Sequence, residues 1–242
     1  MERVIYDRMA ELDQLHWWYR ARRKVLQALI ERVVKPPANS RILEVGCGTG
    51  HNLPMLGRFG EVDGVEIDGE ARAIAEKRTG RPVSQAPLPE LPGVERGAYD
   101  LVAALDVVEH IDDDQATIEA LASCLKPGGK LVVTVPAHQW MWSKHDELNH
   151  HKRRYSKRQL GRLIDDSPLS LDSIGYFNSL LFPLAVAQRL ASRLSGKDSS
   201  DLSLPPRPVN YALERGFAAE RLLIGKVPLP PGLSLFAIGS AT

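Results

Sequence analysis

Cysteine, net charge and long apolar runs are all scarce in this 242-residue chain, and each scarcity closes off a class of function. With only Cys47, in a glycine-rich stretch, and Cys124, in a helical one, no disulfide framework is available. Both read as small buried residues, and a reducing cytoplasm is the expected compartment. The 31 Lys+Arg against 30 Asp+Glu leave a net charge of +1 and no global field for nucleic acid, so no nucleic-acid partner is expected. No apolar run approaches bilayer-spanning length, and the opening Met1-Glu-Arg-Val-Ile-Tyr-Asp7 does not read as a secretory signal. Repeats and low-complexity tracts are missing too, apart from a polar Gly196-Lys-Asp-Ser-Ser-Asp201 linker ahead of Pro205-Pro206. At 43% hydrophobic and 25% charged, the chain can bury one sizeable core, and a single domain over residues 1–242 is the expectation.

What the chain does have is Arg41-Ile-Leu-Glu-Val-Gly-Cys-Gly-Thr-Gly50. Ile42, Leu43 and Val45 read as a short buried strand, and the glycines then force a tight turn into a helix, so that a ligand can approach backbone directly. A dinucleotide fingerprint needs Gly or Ala three residues after its second glycine, and here that position is His51. A P-loop needs a Gly-Lys-Ser/Thr ending, and Gly50-His51-Asn52 supplies neither lysine nor hydroxyl. The next strand, Val62 to Ile67, ends in Glu66, 20 positions after Gly46, the spacing at which an acid reaches ribose hydroxyls. Adenosine, rather than pyrophosphate, is the implied ligand.

This E-x-G-x-G-x-G arrangement resembles motif I of the class I S-adenosylmethionine-dependent methyltransferases. The resemblance implies an α/β, doubly wound, mostly parallel Rossmann-like sheet. It also implies an N-terminal helical lid over residues 1–37, a cofactor-binding core over 40–136, and acceptor-side loops, a helical insertion and the last strands over 137–242. S-adenosyl-L-methionine is then the cofactor, cradled by Glu44, Gly46, Cys47, Gly48, Gly50 and Asn52, with Glu66 and Ile67 at the ribose. The family's third strand usually ends in a Gly-Asp pair. Here Ala86-Pro87 stands in its place, so the adenine falls to backbone around Ala86, Pro87 and Leu88. Leu105 and Asp106 border the methionine end. Helical spacing over residues 7–34 encloses His16-Trp-Trp-Tyr-Arg-Ala-Arg-Arg23, in which Trp18 and Arg22 are candidates for the sulfonium and the methionine carboxylate. The plainer reading of that segment is an amphipathic helix anchored by its aromatics.

Two stretches carry candidate acceptor chemistry. Asp106-Val-Val-Glu-His110 reads as the opening of the helix after the fourth strand, and resembles loops of the O-methyltransferases of quinone biosynthesis. His110 is assigned to the acceptor. A divalent ion held by Asp106, Glu109 and His110 is the alternative, although no metal ligand is assigned outright. After the fifth strand, Trp140 to Tyr155 carries His145, Asp146 and His151, candidates for a general base and its orienting partner because histidine titrates in the needed range. The competing reading is that these groups brace a long loop. The H-D-x-x-x-x-H-x-R-R-Y pattern resembles a bacterial methyltransferase subfamily of cell-surface sugar or lipid pathways. It implies O-methylation of a small-molecule or lipid/sugar-linked acceptor by a monomer or homodimer. A non-catalytic cofactor-binding partner protein stays open as a rival. For the apolar helix over 180–194, packing on the core or on a second subunit is expected, with membrane-surface attachment as the alternative.

Overall fold

The computed structural model describes residues 9–195 and 204–242 of the chain; the Gly196–Asp201 linker lies outside them. Seven strands form one sheet: β1 (Ser40–Val45), β2 (Gly60–Val65), β3 (Val83–Ser84), β4 (Tyr99–Leu105), β5 (Leu125–Pro136), β6 (Leu169–Phe177) and β7 (Ser234–Ala241). Their spatial order is β3-β2-β1-β4-β5-β7-β6, parallel except for β7, which runs antiparallel to both neighbours. This is the doubly wound sheet that the sequence implies. The order reverses between β1 and β4, and in such sheets ligands bind in the crevice beyond the carboxyl ends of the strands at that point.

Period-2 alternation, with both sets apolar, explains why the sheet is covered on both faces. Leu43, Val102, Ala104, Leu131 and Val133 face one side, where they meet α4 (Asp114–Ser123) and α6 (Lys157–Asp165). Ile42, Leu101, Ala103, Val132 and Ile238 face the other, against α1 (Trp17–Leu29) and α8 (Arg207–Ala218). The remaining helices are α2 (Leu53–Leu56), α3 (Gly69–Thr79), α5 (Lys144–Leu148) and α7 (Phe182–Ser195).

Several boundaries differ from expectation. The helix expected over 7–34 is interrupted, because His16 sits in extended backbone and caps α1 by accepting from the Trp18 N–H at 3.3 Å. Nor is this segment a flap laid on the surface: Ala21, Val25, Leu26 and Leu29 are fully buried, since one sheet face needs their cover. Asp106 to His110 opens no α-helix. Asp106 has φ +63°, only a 3-10 turn spans Val108–His110, and α4 begins later, behind an Asp113 cap. Asp106 and His110 therefore do not stand one helical turn apart on a shared face. Lys126–Gly129 is an irregular passage within β5, with a register shift opposite Tyr99/Leu101.

The helix expected over 180–194 forms as α7, and within this single chain it does not bury itself on the core. No residue from Phe182 to Ser192 is buried.

Candidate active site

A cavity of about 700 Å³ opens at the carboxyl ends of β1, β2, β4 and β5. Gly46 and Gly48 line it, with φ +68° and +55°. A Cβ on Gly46 would sit 2.6 Å from Val107 Cγ2, whereas Gly48 faces open space apart from Met9 Sδ at 3.7 Å. Gly48 is thus the point where a ligand can lie on backbone. Cys47, Asn52, Ile67, Ala86, Pro87, Leu88 and Leu105 also line the cavity. Glu66 accepts from the Gly48 N–H at 2.7 Å and the Asp68 N–H at 2.9 Å, so it braces the glycine turn while lining the same space.

Two assigned residues lie behind the wall. Gly50 packs on α3, where a Cβ would come within 2.9 Å of Ala75 Cβ; its role is close helix packing. Glu44 is 1% exposed, accepts from Asn52 Nδ2 at 2.9 Å and leaves Oε2 unpartnered. Burial, only partly offset by Asn52 and Arg22, pushes its carboxyl up to about 8.

Helix α1 delivers Trp17, Trp18, Tyr19 and Arg22 to the rim. Arg22 is 2% exposed, pairs with Asp106 Oδ2 at 2.9 Å and donates to Thr134 Oγ1 at 2.8 Å, while Thr134 donates to Asp106 Oδ1 at 2.9 Å. Its guanidinium lies 5.3 Å from the Trp18 ring. Asp106 is therefore held by an arginine. Sequence reasoning passed over two neighbours. His51, beside the last glycine, lines the cavity with burial holding its imidazole well below the usual range; Thr134 lies in an ordinary-looking strand.

The cavity wall beyond β5 is built around Asp146, which is fully buried and capping-boxed with Ser143 at the start of α5. Its Oδ1 meets His151 Nδ1 at 2.8 Å and accepts from Arg154 Nε at 2.8 Å, and its Oδ2 accepts from Arg154 Nη2 at 3.0 Å and the Ser143 N–H at 2.8 Å. Burial alone would raise this carboxyl, but the bonds from His151 and Arg154 hold it well below the usual range. Asp146 itself does not line the cavity; His151, His145, His110 and Arg154 do. The His110 and His151 rings are edge to face at 4.7 Å, and His145 lies 6.2 Å from His151. Burial and the facing His151 lower His110 to about 4, leaving a neutral imidazole at ordinary pH. Glu109 is 1% exposed with neither oxygen partnered, and burial together with Asp106 raises its carboxyl far above normal. Glu109, His110 and His151 bring ligand-type atoms within 4.8 Å of one another. Asp106, paired with Arg22, is not in that group. Arg154, the second arginine of the H-D-x-x-x-x-H-x-R-R-Y pattern, is the residue that fixes Asp146.

The family model described as Methyltransferase domain matches residues 17–174. The chain belongs to that family. This methyltransferase-domain protein is 31% identical over 140 residues to the ubiquinone biosynthesis O-methyltransferase of Xanthomonas axonopodis pv. citri (strain 306), covering 53% of this chain and 59% of that one. The chain thus spans a little over half the length of that relative. Among solved structures, a SAM-dependent methyltransferase from Thermotoga maritima superposes with a TM-score of 0.61 at 19% identity, over 98% of this chain and 99% of the other. The geranyl diphosphate C-methyltransferase of Streptomyces coelicolor A3(2), in complex with Mg2+, geranyl-S-thiolodiphosphate and S-adenosyl-L-homocysteine, gives 0.57 at 17% identity, over 90% and 76%. S-adenosylmethionine is the cofactor of this methyltransferase-domain protein, and bare backbone at Gly48, the carboxylate of Glu66 and the ring of Trp18 all line the crevice.

Proposed function

We propose that the protein transfers the methyl group of S-adenosylmethionine to an acceptor oxygen, with His151 taking the acceptor proton and Asp146 and Arg154 holding it in position. The observation that carries this reading is the Asp146–His151 contact of 2.8 Å at the wall of the cavity that begins at the glycine turn. Methyl transfer is an in-line displacement in which a neutral thioether leaves, so the protein supplies alignment, exclusion of water and a base. Asp146 is acceptor-only when ionised, so it takes the Nδ1–H of His151 and leaves Nε2 as the lone pair for the acceptor hydroxyl. His110 and His145 then border the acceptor. Gly46, Gly48, Glu66 and the backbone at Ala86–Leu88 hold the adenosine, and Trp18 and Arg22 close over the methionine end.

A second reading has one specific observation behind it: the unpartnered, buried Glu109 beside two imidazoles. One carboxylate and two histidines suit a divalent transition ion, and a metal ligand His151 would keep Asp146 as its orienting partner. Metal content of the purified protein and calorimetry with Zn2+ or Mn2+ separate the two readings without an acceptor. Heat release that Glu109→Gln removes favours the ion, and none favours the base.

The test of the main reading has two parts. S-adenosylhomocysteine should bind EDTA-treated protein in calorimetry, and Gly48→Asp should abolish binding. With an acceptor found by screening, His151→Ala should keep cofactor affinity and slow turnover at least tenfold, roughly the lower range for loss of a base. An unchanged rate removes His151 from the chemistry; unchanged affinity in Gly48→Asp removes the glycine turn from the cofactor site.

A further inference from the structure

The residues assigned so far stand at the strand ends from β1 to β5, but the cavity runs on past them. Pro136, Leu233, Ser234 and Asn178 line it as well. Strand register sets these in a row across the sheet: Pro136 on β5 is opposite Ser234 on β7, Ser234 is opposite Phe177 on β6, and Asn178 follows directly. Neighbouring strands lie about 4.8 Å apart, so Asn178 stands two spacings, roughly 10 Å, from the end of β5. Hydrogen bonds tie the two ends of the row together. The Leu233 N–H donates to the Asn178 carbonyl at 3.2 Å, the Ala137 N–H to the Leu233 carbonyl at 2.8 Å, and Arg154 Nη1 to the Ala137 carbonyl at 3.1 Å. Asn178 is thus braced against the same cluster that holds His151.

The turn that carries Asn178 is satisfied everywhere on its backbone. Glu220, fully buried, accepts from the N–H groups of Asn178 at 2.7 Å, Ser179 at 2.6 Å and Leu180 at 2.7 Å. Asn178 has φ +57°, a left-handed conformation that asparagine tolerates and glycine adopts freely. Backbone geometry therefore accounts for a small residue at this position but not for its amide. The residue is 1% exposed and its Oδ1 is buried without a partner. An orphaned polar atom of this kind costs about 1–3 kcal/mol, a cost offset when a ligand brings the missing bond.

A further wall of this space comes from α7. Leu184, Ala185, Gln188, Arg189 and Ser192 recur at helical spacing, so one face of the helix runs along the cavity instead of packing on the core. Near Asn178 the lining from this segment and from the chain before β7 is apolar, at Leu181, Leu184 and Leu233.

We propose that this arm of the cavity is the acceptor subsite, and that it takes an elongated acceptor whose second hydroxyl pairs with the Asn178 amide at the end remote from His151, its apolar middle lying along Leu181, Leu184 and Leu233. An amide presents both a donor and an acceptor, and a hydroxyl can meet either. Which end of the acceptor is methylated rests on the methyl-transfer reading above; the pairing with Asn178 does not.

Two rigid phenols test the subsite by calorimetry on the S-adenosylhomocysteine complex. 4,4′-Biphenol carries a hydroxyl at each end of a frame of suitable length, and 4-phenylphenol lacks one of them. The wild-type protein should bind the diol roughly tenfold more tightly, the gain of one hydrogen bond to a group otherwise left unpaired. Asn178→Gly keeps the left-handed turn and removes the amide, so the two phenols should bind it within about twofold of each other, the statistical factor of a symmetric diol, while S-adenosylhomocysteine affinity and Tm stay as in the wild type. Leu184→Trp, which fills the arm and leaves Asn178 in place, should weaken both phenols together. Equal affinity of the two phenols for the wild type, no binding of either, or a diol preference that survives in Asn178→Gly overturns the proposal. Failure of S-adenosylhomocysteine to bind sinks the methyl-transfer reading instead, and the same comparison on the unloaded protein then decides the subsite.

Discussion

Replacing Asp146 by Asn tests whether the cavity wall around it is a pre-organised charge cluster. Asp146 is fully buried and receives His151, two of the three Arg154 nitrogens and Ser143, while Arg154 is itself only 9% exposed. The amide keeps the shape but removes the charge, leaving a buried guanidinium without its counter-ion. Breaking a buried pair in this way costs about 3–5 kcal/mol. For a chain of this size each kcal/mol moves Tm by roughly 2–4 °C, so thermal unfolding should drop by about 10 °C. The pH dependence carries a sign. The folded-state carboxyl is depressed from its ordinary value of 3.8, so its stabilisation is present above that value and is lost as pH falls further below it. The gap between wild type and variant in urea unfolding should therefore be full at neutral pH and shrink in acid below about pH 4. A double-mutant cycle supplies the refutation. Asp146→Asn/Arg154→Leu removes both charges and should be less destabilised than the sum of the single changes by at least about 1.5 kcal/mol. Additivity within about 0.5 kcal/mol would mean that the two groups do not act as a pair.

Other predictions follow from single contacts. Glu44→Gln preserves the bond from Asn52 but cannot ionise. Because burial raises the wild-type carboxyl from 4.5 to about 8, wild-type stability is full below the lower value and lost as pH climbs toward the upper one. Urea unfolding at pH 5 and pH 8.5 should thus show a loss of a few kcal/mol in the wild type that the variant lacks, and equal losses would show Glu44 to be ionised in the fold. Gly50→Ala should cost about 1–3 kcal/mol by pushing α3 away at Ala75, with S-adenosylhomocysteine affinity falling less than in Gly48→Ala; the reverse order would place Gly50 at the ligand. Arg22→Met should destabilise by about 3 kcal/mol, since Asp106 loses its counter-ion, and should shift tryptophan fluorescence through Trp18; an unshifted spectrum would refute the stacked geometry.

Much of this molecule was legible in residue order. The apolar alternation in Leu101–Leu105 and Leu131–Val135, the glycine turn and the acid at Glu66 are local signals, written within a few residues by backbone geometry, and they determine a doubly wound sheet and where its crevice lies. The presence of histidines at the cavity wall was legible too. Their relations were not. That Asp146 serves His151 rather than its neighbour His145 depends on α5 ending before His151 folds back, with Arg154 closing the cluster from eight residues away. That Asp106 is spent on Arg22 depends on α1 covering the strand ends, 84 positions earlier in the chain. Glycine spacing could not say which glycine faces the open cavity and which meets helix, because Gly48 and Gly50 differ in what α3 places beside them. Periodicity made residues 180–194 a helix but could not say that its apolar side would find no core. Burial is a property of the assembled layers, and α1 and α8 had already filled that face of the sheet.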